Sequence, residues 1–415
     1  MKNILIYLRL GLRNLLLYPM RTGLTVIGLG IGIAALTFLS AMNDGWLQNM
    51  KLNFVLTQMG HVQIHAQGFE QSRRISDYMG DTTLVDEALQ SMQSMQGGIQ
   101  AWSHRIRVSG LASAAGANAS VLVSGIEPER EKDVSRLHTF MQQGTWLQPG
   151  DKRGVVLGDV LADRLSVGLG DKVVLMAASP DGDIASEVFR VRGLIHSGVM
   201  DVDNLLALIP LKMAQHWLHL GAGVTDVVIR TNSFAVVDSV VSNLQQRLSG
   251  KPLEILRWQE IDPMAEQWTM FAEIYTWVVL LVVIIVVLAE VLNTMLMSMH
   301  DRVREFGLMA ALGTTQQQLF AMVVYETLVL VFIGGILGFL LGGAVSLYYG
   351  EYGLDLSQYA TAFSFMYMSS VVYPELTFNG CARILVAAML GAVLAGLYPA
   401  WKASRLNPAQ AMREI

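Results

Sequence analysis

Residues 274–299 read IYTWVVLLVVIIVVLAEVLNTMLMSM and contain one charged residue, Glu290. This apolar run exceeds the roughly 20 residues with which an α-helix crosses about 30 Å of hydrocarbon. Because a helix satisfies its own backbone hydrogen bonds, it can lie in lipid, where no water is available. The stretch therefore predicts a membrane-spanning helix. The composition agrees, since 15% of the 415 residues are charged, whereas a typical soluble domain has about 25%.

Three more windows without charged side chains predict three more spans. They cover residues 22–43, 327–350 and 384–401, and we extend the second of them back to residue 319. A further apolar window, residues 356–374, is rich in Ser, Tyr and Phe and ends in a proline. We expect it at the membrane interface, outside the hydrocarbon. The sequence thus predicts a membrane protein with four transmembrane α-helices.

Basic residues beside the spans predict their orientation. Residues 1–21 contain four basic residues and no acid, and the tail 402–415 is also basic, whereas the loop 351–383 is mainly acidic. Because Lys and Arg favour cytoplasmic flanks, we expect both termini and residues 300–318 in the cytoplasm. The lead 1–21 is amphipathic and should lie along the inner leaflet, unless it is only the basic flank of the first span. That span is longer than the 7–15 apolar residues of a cleaved signal peptide, so we expect it to be retained.

Residues 44–273, between the first two spans, have the character of an α+β domain outside the cytoplasm. Alternation in GHVQIHAQ, SVLVSGI, DKVVLMA, EVFRVRGLI and TDVVIRT predicts strands, and helices are predicted at residues 159–167, 211–220 and 234–248. His61 and His65 fall on the polar face of the first strand. Since no third ligand is near, we expect them to be solvated and not to bind a metal. The charge run at residues 127–136 predicts a solvated helix face.

Several kinds of chemistry find no support in the residue patterns. The 415 residues contain no G-x-x-x-x-G-K-[ST] phosphate-binding loop, no G-x-S-x-G and no H-E-x-x-H. Cys381 is the only cysteine, which excludes an internal disulfide and a multi-cysteine metal site. Residues 44–273 contain more acids than bases and no basic patch, which argues against nucleic acid as a partner. We therefore expect a non-catalytic chain without a metal site.

Residues 300–319, HDRVREFGLMAALGTTQQQL, place charges directly against the second span. Phe306, Met309 and Leu312 recur at three-residue steps and predict an apolar helix face. The charged residues Arg302, Arg304 and Glu305 should contact water. The candidate docking residues are Arg302, Arg304, Glu305, Phe306, Met309 and Leu312. Gly313 predicts the end of this helix, and Thr314 or Thr315 the start of the next. The simpler alternative is a charged loop that only fixes the topology.

Two carboxylates fall within predicted spans. Glu290 lies about 14 Å from the inner end of span two and Glu326 about 12 Å into span three, at 1.5 Å per residue. A charge at such depth is costly, so each should face protein or a cavity, or be protonated. No Lys or Arg lies within the spans, which leaves Asn293, Thr294 and Thr327 as hydrogen-bonding candidates. The carboxylates predict a packing or gating contact between these spans. The alternatives are that Glu326 lies at the inner interface, or that the pair carries protons.

A set of longer motifs resembles one protein family. The basic lead LRLGLRNLLLYPMRT, the glycine-rich GLTVIGLGIGIAAL, the segment NTMLMSMHDRVREFGLMAALGTTQQQL and the closing YPAWKASRLNPAQAMR resemble the four-span ABC-transporter permeases of the MacB/FtsX superfamily. SAMNDGWLQNM, VLVSGIEPEREKDVS, VVLGDVLADRLSVGLGDKV and DVDNLLALIPLKMAQ are similar to the lipoprotein-releasing, Lol-type branch. VREFGLMAALG is more similar to MacB. A MacB protein carries its ATPase on the same chain, and these residues contain none.

The resemblance implies an architecture and a set of partners. Residues 300–318 would form the coupling helix, which docks on separate cytoplasmic ATPase subunits of a bacterial inner-membrane transporter. ATP and Mg²⁺ would bind to that ATPase, and this chain would need no cofactor. Its other partners would be a second copy or a homologous permease, membrane lipid, and a periplasmic lipoprotein carrier.

By the same resemblance the cargo is a lipoprotein that enters between the first two spans. Flexible methionines and broad aromatic side chains suit acyl chains. The candidate lining residues are Met42, Asn43, Trp46, Met50, Trp268, Phe271 and Tyr275. Two alternatives stay open: a MacB-type pump for a peptide or drug in the periplasm, and an FtsX-type regulator of a periplasmic cell-wall hydrolase.

Overall fold

The structure, a computed structural model, describes residues 19–94, 97–359 and 371–405. The chain forms two compact units. We call the first the helical unit (Met1–Gln48, Met270–Asp355 and Val371–Ile415) and the second the sheet unit (Asn49–Thr269 and Leu356–Ser370). Most of the predicted lead helix, the centre of the predicted interfacial segment and most of the tail lie outside the described residues.

Four helices are long and apolar enough to cross a membrane, as predicted. They are α1 (Pro19–Phe54), α10 (Pro263–Asp301), α12 (Gln316–Tyr352) and α13 (Phe378–Ser404). Each continues beyond the charge-free window that predicted it, because the helical backbone does not have to end where the hydrocarbon ends. After α1, a π-helix (Val55–Met59) and Gly60, with φ +64°, lead the chain into the first strand.

Small residues allow α1 and α12 to pack closely. Gly334, Gly338 and Gly342 lie four residues apart on one face of α12 and contact Leu29, Ile33 and Thr37 of α1. A Cβ on any of these glycines would overlap α1. Close approach of this kind is how membrane helices gain van der Waals contact in the absence of a hydrophobic driving force between them.

The sheet unit is built on one ten-stranded sheet. Its strands are β1 (Val62–Ala66), β2 (Ile99–Ala114), β3 (Ala117–Ile126), β4 (Met141–Gly144), β5 (Gly154–Gly158), β6 (Lys172–Ala178), β7 (Ile184–Ile195), β8 (Leu206–Pro210), β9 (Asp226–Thr231) and β10 (Leu253–Arg257). The order is β10-β1-β9-β2-β3-β8-β5-β7-β4, with β6 paired to β2 and β7. All five predicted strands are present.

Short helices cover the sheet and complete its apolar core. They are α2 (Phe69–Ser72), α3 (Thr83–Ser94), α4 (Pro128–Val134), α5 (Asp159–Leu165), α6 (Met200–Leu205), α7 (Leu211–Trp217), α8 (Val237–Arg247) and α9 (Trp258–Ile261). 3₁₀ turns occupy Leu137–Phe140, Phe234–Val236 and Ser357–Tyr359, and β11 (Leu354–Asp355) pairs with β12 (Val371–Val372). The three predicted helices correspond to α5, α7 and α8. Together these elements confirm the predicted four-span membrane protein with a β-rich α+β domain between its first two spans.

The prediction that His61 and His65 are solvated is wrong. β1 lies inside the sheet, between β10 and β9, and both histidines are buried. Period-two alternation did not indicate a solvated face here, because a strand covered on both faces can hold polar residues if neighbouring groups form hydrogen bonds with them. The Nδ1 atom of His65 lies 3.0 Å from the Asp226 carboxylate. Burial, and then the positive charge of Arg230, lower the pKa of His61 to about 4.

The charge run at residues 127–136 is also only partly solvated. Glu131 on α4 is fully buried and pairs with Arg105 of β2, whose Nε atom donates to Glu131 Oε2 at 3.1 Å. Glu129 and Arg130 face solvent, as predicted. The helix turns Glu131 alone of its three acids towards the sheet, where Arg105 neutralises it.

Candidate functional site

The segment between α10 and α12 forms a separate short helix. Arg302 interrupts α10, and α11 follows as Val303–Ala311. Gly313, with φ +99°, ends α11, and the side chain of Thr315 accepts a hydrogen bond from the Gln318 amide to start α12. Both turns match the prediction. The predicted single segment, residues 300–318, therefore contains a nine-residue helix, which Arg302 separates from α10 and residues 312–315 separate from α12.

The inner face of α11 packs inside the helical unit. Phe306 is 2% exposed. Met309 packs more loosely against the same apolar cluster. The cluster consists of Met299, Phe306, Leu319, Met322, Val323, Ala400 and Ala403. Phe306 therefore holds α11 against α10, α12 and α13 and is not available to another protein in this conformation.

Arg302 forms a buried ion pair with Glu326. Its Nη1 atom donates to both carboxylate oxygens at 3.1 Å, and its Nε atom donates to Glu305 at 2.8 Å. The guanidinium also lies over the Phe306 ring, 5.2 Å from its centroid. Arg302 is only 4% exposed and Glu326 5%. The prediction that Arg302 contacts water is wrong, because the side chain folds back from the end of α10 and supplies the cation that the spans lack. We call this pair, with Glu305, the clamp.

The exposed side chains on and beside α11 include three of the predicted docking residues, Arg304, Glu305 and Leu312, but not Arg302, Phe306 or Met309. Arg304, Leu308, Ala311 and Leu312 are exposed, Leu308 by 54% and Leu312 by 79%. A helix turns about 100° per residue, so three-residue steps drift, and Leu312 lies far from Phe306. Steps of four, seven and eight residues from Arg304 reach Leu308, Ala311 and Leu312 and mark the outer face. This pattern was present in the sequence.

The second intramembrane carboxylate has a different environment. Glu290 is half-buried against Gly28 of α1, where a Cβ would overlap its carboxylate. Thr294, one turn later, lies 3.4 Å from Thr25, hydroxyl to hydroxyl. Asn293 is exposed. The structure therefore places Glu290 and Glu326 in two separate contacts, the first between α1 and α10 and the second at the clamp.

The predicted lining residues divide by exposure. In the helical unit Asn43 is buried and its Nδ2 atom donates to the Thr276 hydroxyl at 3.0 Å, which joins α1 to α10. Met50, in the sheet unit, is 1% exposed. Neither residue is part of an exposed lining in this structure. Phe271 is 56% exposed. The half-buried members are Met42, Trp46, Trp268 and Tyr275.

Charged side chains in the sheet unit form contacts that the strand pattern did not indicate. His104 lies between Glu127, 3.0 Å from its Nδ1 atom, and Asp86, 3.2 Å from its Nε2 atom. Burial alone would lower the pKa of His104, but hydrogen bonds to these two carboxylates outweigh it and raise the pKa to about 9. Arg107 and Asp226 form a second buried pair, with Arg107 Nη2 2.6 Å from the carboxylate. These contacts join β2 to β9, α3 and α4.

One group in the described residues has the spacing of metal ligands: Asp159, His196 and Asp203. The group has another role already. Both oxygens of Asp203 accept hydrogen bonds from the backbone amides of Ser197 and Gly198, and His196 Nδ1 lies 2.8 Å from Asp159. These bonds hold the turn after β7, and the residues form a structural cap.

Two family models match most of the chain. The model of the MacB-like periplasmic core domain matches residues 22–247, and the model of the FtsX-like permease C-terminal region matches residues 277–408. The chain belongs to the MacB/FtsX superfamily. A member of this superfamily is an ABC-transporter permease and is typically non-catalytic. Four apolar helices with a periplasmic-type domain fit a multi-pass protein of the bacterial inner membrane.

Named relatives of this permease fall in two groups. The lipoprotein-releasing system transmembrane protein LolC of Xylella fastidiosa is 23% identical over 407 residues, which cover 94% of this chain and 92% of LolC. The macrolide export ATP-binding/permease protein MacB of Bdellovibrio bacteriovorus is 24% identical over 435 residues, covering 98% of this chain and 61% of MacB. The chain therefore spans nearly the whole of LolC and under two thirds of MacB. Among solved structures, the periplasmic region of MacB from Actinobacillus actinomycetemcomitans is similar at 18% identity, with a TM-score of 0.34, 49% of this chain and 92% of that one covered.

Proposed function

We propose that this permease transmits ATP-driven motion from a separate cytoplasmic ATPase, which binds ATP and Mg²⁺, to its extracytoplasmic sheet unit. The observation that carries the proposal is the outer face of α11. The clamp and Phe306 fix the inner face, and they leave Arg304, Leu308 and Leu312 exposed on the other. Apolar side chains beside a charge, exposed on a fixed helix, suit a groove on a partner protein.

The chain offers a direct route for motion into the sheet unit. α1 continues through the π-helix into β1, and β10 leads through α9 into α10. β1 and β10 are adjacent antiparallel strands, with Val62 opposite Arg257. Phe54, at the end of α1, contacts Trp258 of α9 at 6.3 Å between ring centroids. Displacement of either span therefore reaches the same edge of the sheet.

For the cargo we propose a lipoprotein, released from the inner membrane and passed to a periplasmic carrier. The support is the similarity to LolC over most of both chains, together with the LolE protein of Haemophilus influenzae, 24% identical over 320 residues. Met42, Trp46, Phe271 and Tyr275 keep exposed surface in the helical unit. Adaptable methionine and broad aromatic faces suit acyl chains.

A MacB-type export function is the second candidate. The MacB-like core-domain model covers residues 22–247, and MacB proteins align with 98% of this chain. In that case the cargo would be a peptide or drug already in the periplasm, and the partner outside the cytoplasm would be an adaptor with an outer-membrane duct.

Purification in detergent, with mass spectrometry of co-eluting proteins, tests these functions. An ATPase should co-elute and the permease alone should not hydrolyse ATP; turnover by the pure chain would contradict the proposal. A lipoprotein carrier supports release, an adaptor supports export, and a cell-wall hydrolase would instead indicate FtsX-type regulation.

Two further measurements test orientation and the clamp. A cysteine at Asp181 should react with an impermeant maleimide in spheroplasts, and one at Gln316 should not; the reverse would place α11 on the extracytoplasmic side of the membrane.

Glu326→Gln, whose side-chain oxygen can still accept a hydrogen bond from Arg302, should retain more cargo release than Glu326→Leu. Equal activity of the two variants would show that the clamp has no part in coupling.

A further inference from the structure

A cavity of about 890 Å³ opens in the sheet unit, where two parallel strands end side by side. Ile126 at the end of β3 lies opposite Pro210 at the end of β8, and the helices α4 and α7 begin directly after these strands. The loop 149–153 also lines the cavity. Ligand pockets have volumes of about 300–1,000 Å³, so the space is sufficient for a ligand. We call it the sheet cavity.

The buried lining of the sheet cavity is apolar apart from His104. Its apolar members are Ile126, Pro128, Pro210, Leu211 and Val224, and Met213 is half-buried beside them. Burial of an apolar group against such a surface is favourable, because the group leaves water. The cavity therefore has a place for an apolar side chain.

The acids that line the sheet cavity already have basic partners. Glu127 lies between His104, 3.0 Å from its carboxylate, and Arg130 at 3.7 Å. Arg153 lies 3.4 Å from Glu187. The other two pairs are Asp151–Arg192 and Glu129–Lys132. The negative charge in the lining is therefore balanced before any ligand enters.

Two lysines of the lining have no counter-charge. Lys152 and Lys212 are exposed, and neither forms an ion pair with any residue that the structure describes. Complementary charge steers a ligand and fixes its orientation. Two free ammonium groups beside an apolar surface thus favour a ligand that carries carboxylates next to an apolar group.

The charged pairs in the walls favour a peptide over an acyl chain. An acyl chain would cover Arg153–Glu187 and Arg130–Glu127 without offering them a hydrogen bond, which makes the loss of water costly. A peptide backbone offers an N–H donor and a carbonyl acceptor at nearly every residue, so it can bond groups of both signs. The lining is therefore suited to a peptide.

We infer that the sheet cavity binds a peptide segment in which acidic residues flank an apolar one. The apolar side chain packs on the buried lining beside Leu211, and the two carboxylates bond Lys152 and Lys212. The inference goes beyond the proposed function, because neither the outer face of α11 nor the residues proposed to line the cargo path belong to this cavity. It adds a peptide site outside the membrane spans.

Fluorescence anisotropy with the full permease in detergent tests the peptide chemistry. The probe is a rhodamine-labelled peptide, Gly-Asp-Leu-Asp-Gly, which should bind saturably. Gly-Lys-Leu-Lys-Gly lacks the carboxylates and Gly-Asp-Ser-Asp-Gly lacks the apolar group, so each should bind roughly tenfold more weakly. Absence of saturable binding, or equal affinity of the three peptides, would overturn the inference. Displacement of the probe by dihexanoyl phosphatidylglycerol but not by unlabelled acidic peptide would also overturn it and indicate a lipid site.

Paired charge reversals locate the site on the chain. Lys152→Glu/Lys212→Glu should weaken binding of the acidic peptide roughly tenfold. Lys172→Glu/Lys251→Glu is the matched control, since it makes the same change of net charge at exposed positions outside the cavity, and it should bind as the wild type does. Equal affinity of the two double variants would overturn the inference.

Filling the cavity gives an independent check. Ala222 is an exposed residue of the lining, so Ala222→Trp should occupy the space without disturbing the core and should abolish binding. Wild-type binding by this variant would place the peptide elsewhere and overturn the inference. ATPase retention, which tests the proposed function, should be unchanged in every variant of the cavity, so the two proposals fail independently.

Discussion

The clamp in the helical unit and the Arg105–Glu131 pair in the sheet unit have the same chemistry and different surroundings. Each buries an arginine and a glutamate, with exposures of 4% or less for both arginines. Arg105 and Glu131 fix α4 on β2 inside one domain. Arg302 instead also bonds Glu305, on a helix whose other face is free.

The difference shows that a buried ion pair has no fixed role. Inside the sheet unit the pair only neutralises a buried acid, so its loss should remain a local loss of stability. At the clamp, an ion pair of the same kind is joined to Glu305 of α11, a helix with exposed apolar side chains, so its loss should also change binding. Variants of the two pairs should therefore differ in ATPase binding even where they lose similar stability.

The largest effect is expected from removing one arginine of either pair. Arg302→Ala and Arg105→Ala each leave a buried carboxylate without its cation, which typically costs about 3–5 kcal/mol. Hydrogen exchange should rise around α12 in the first variant and around β2 and α4 in the second. Only Arg302→Ala should also lose the ATPase during purification. Wild-type ATPase retention in Arg302→Ala would show that the two ion pairs do not differ in their effect on binding. The double variant Arg302→Ala/Glu326→Ala is the control for the Glu326 carboxylate that Arg302→Ala leaves unpaired.

A pH-dependent loss of stability is expected in the sheet unit, at His104. The pKa of His104 is about 9 in the folded chain, above its ordinary 6.5. Its charged contacts with Asp86 and Glu127 thus stabilise the unit fully below pH 6.5 and fade as the pH rises through 9. The full loss above pH 9 should be about 3 kcal/mol, measured by hydrogen exchange of β2 amides. His104→Asn should flatten the profile, and a wild-type profile already flat over this range would contradict the assignment.

Changes on the outer face of α11 should affect binding and leave stability unchanged. Leu308→Ser or Leu312→Ser removes an exposed apolar contact, and loss of an interface anchor costs about 2 kcal/mol. ATPase retained per permease should fall by roughly thirtyfold at limiting ATPase, with the melting temperature unchanged. Phe332→Ser, at an exposed position within the span α12, should not alter retention. Equal retention in all variants would mean that the ATPase binds elsewhere.

The smallest effect is expected for Arg304→Ala. An exposed charge at the edge of an interface contributes less than about 1 kcal/mol, so ATPase retention should fall only slightly. The large effect expected for Arg302→Ala, two residues away, should therefore not be seen. Arg304→Glu should weaken retention more, and added salt should restore it, because exposed charges are screened over about 8 Å at physiological ionic strength. A loss in Arg304→Ala as large as that in Arg302→Ala would show that the two arginines share one face.

The sequence alone determined the four spans, five of the ten strands of the sheet unit, the turn at Gly313 and Thr315, and the family. These signals are local, since apolar length, period-two alternation and helix caps each depend on neighbouring residues. The tertiary structure decided which polar residues are buried and with which partners. Arg302 and Glu326 are 24 residues apart, and His61 accepts from the Thr231 amide across 170 residues. A buried charge or imidazole is tolerated only where a partner forms a hydrogen bond or ion pair with it. When that partner is distant in sequence, no local pattern predicts the contact.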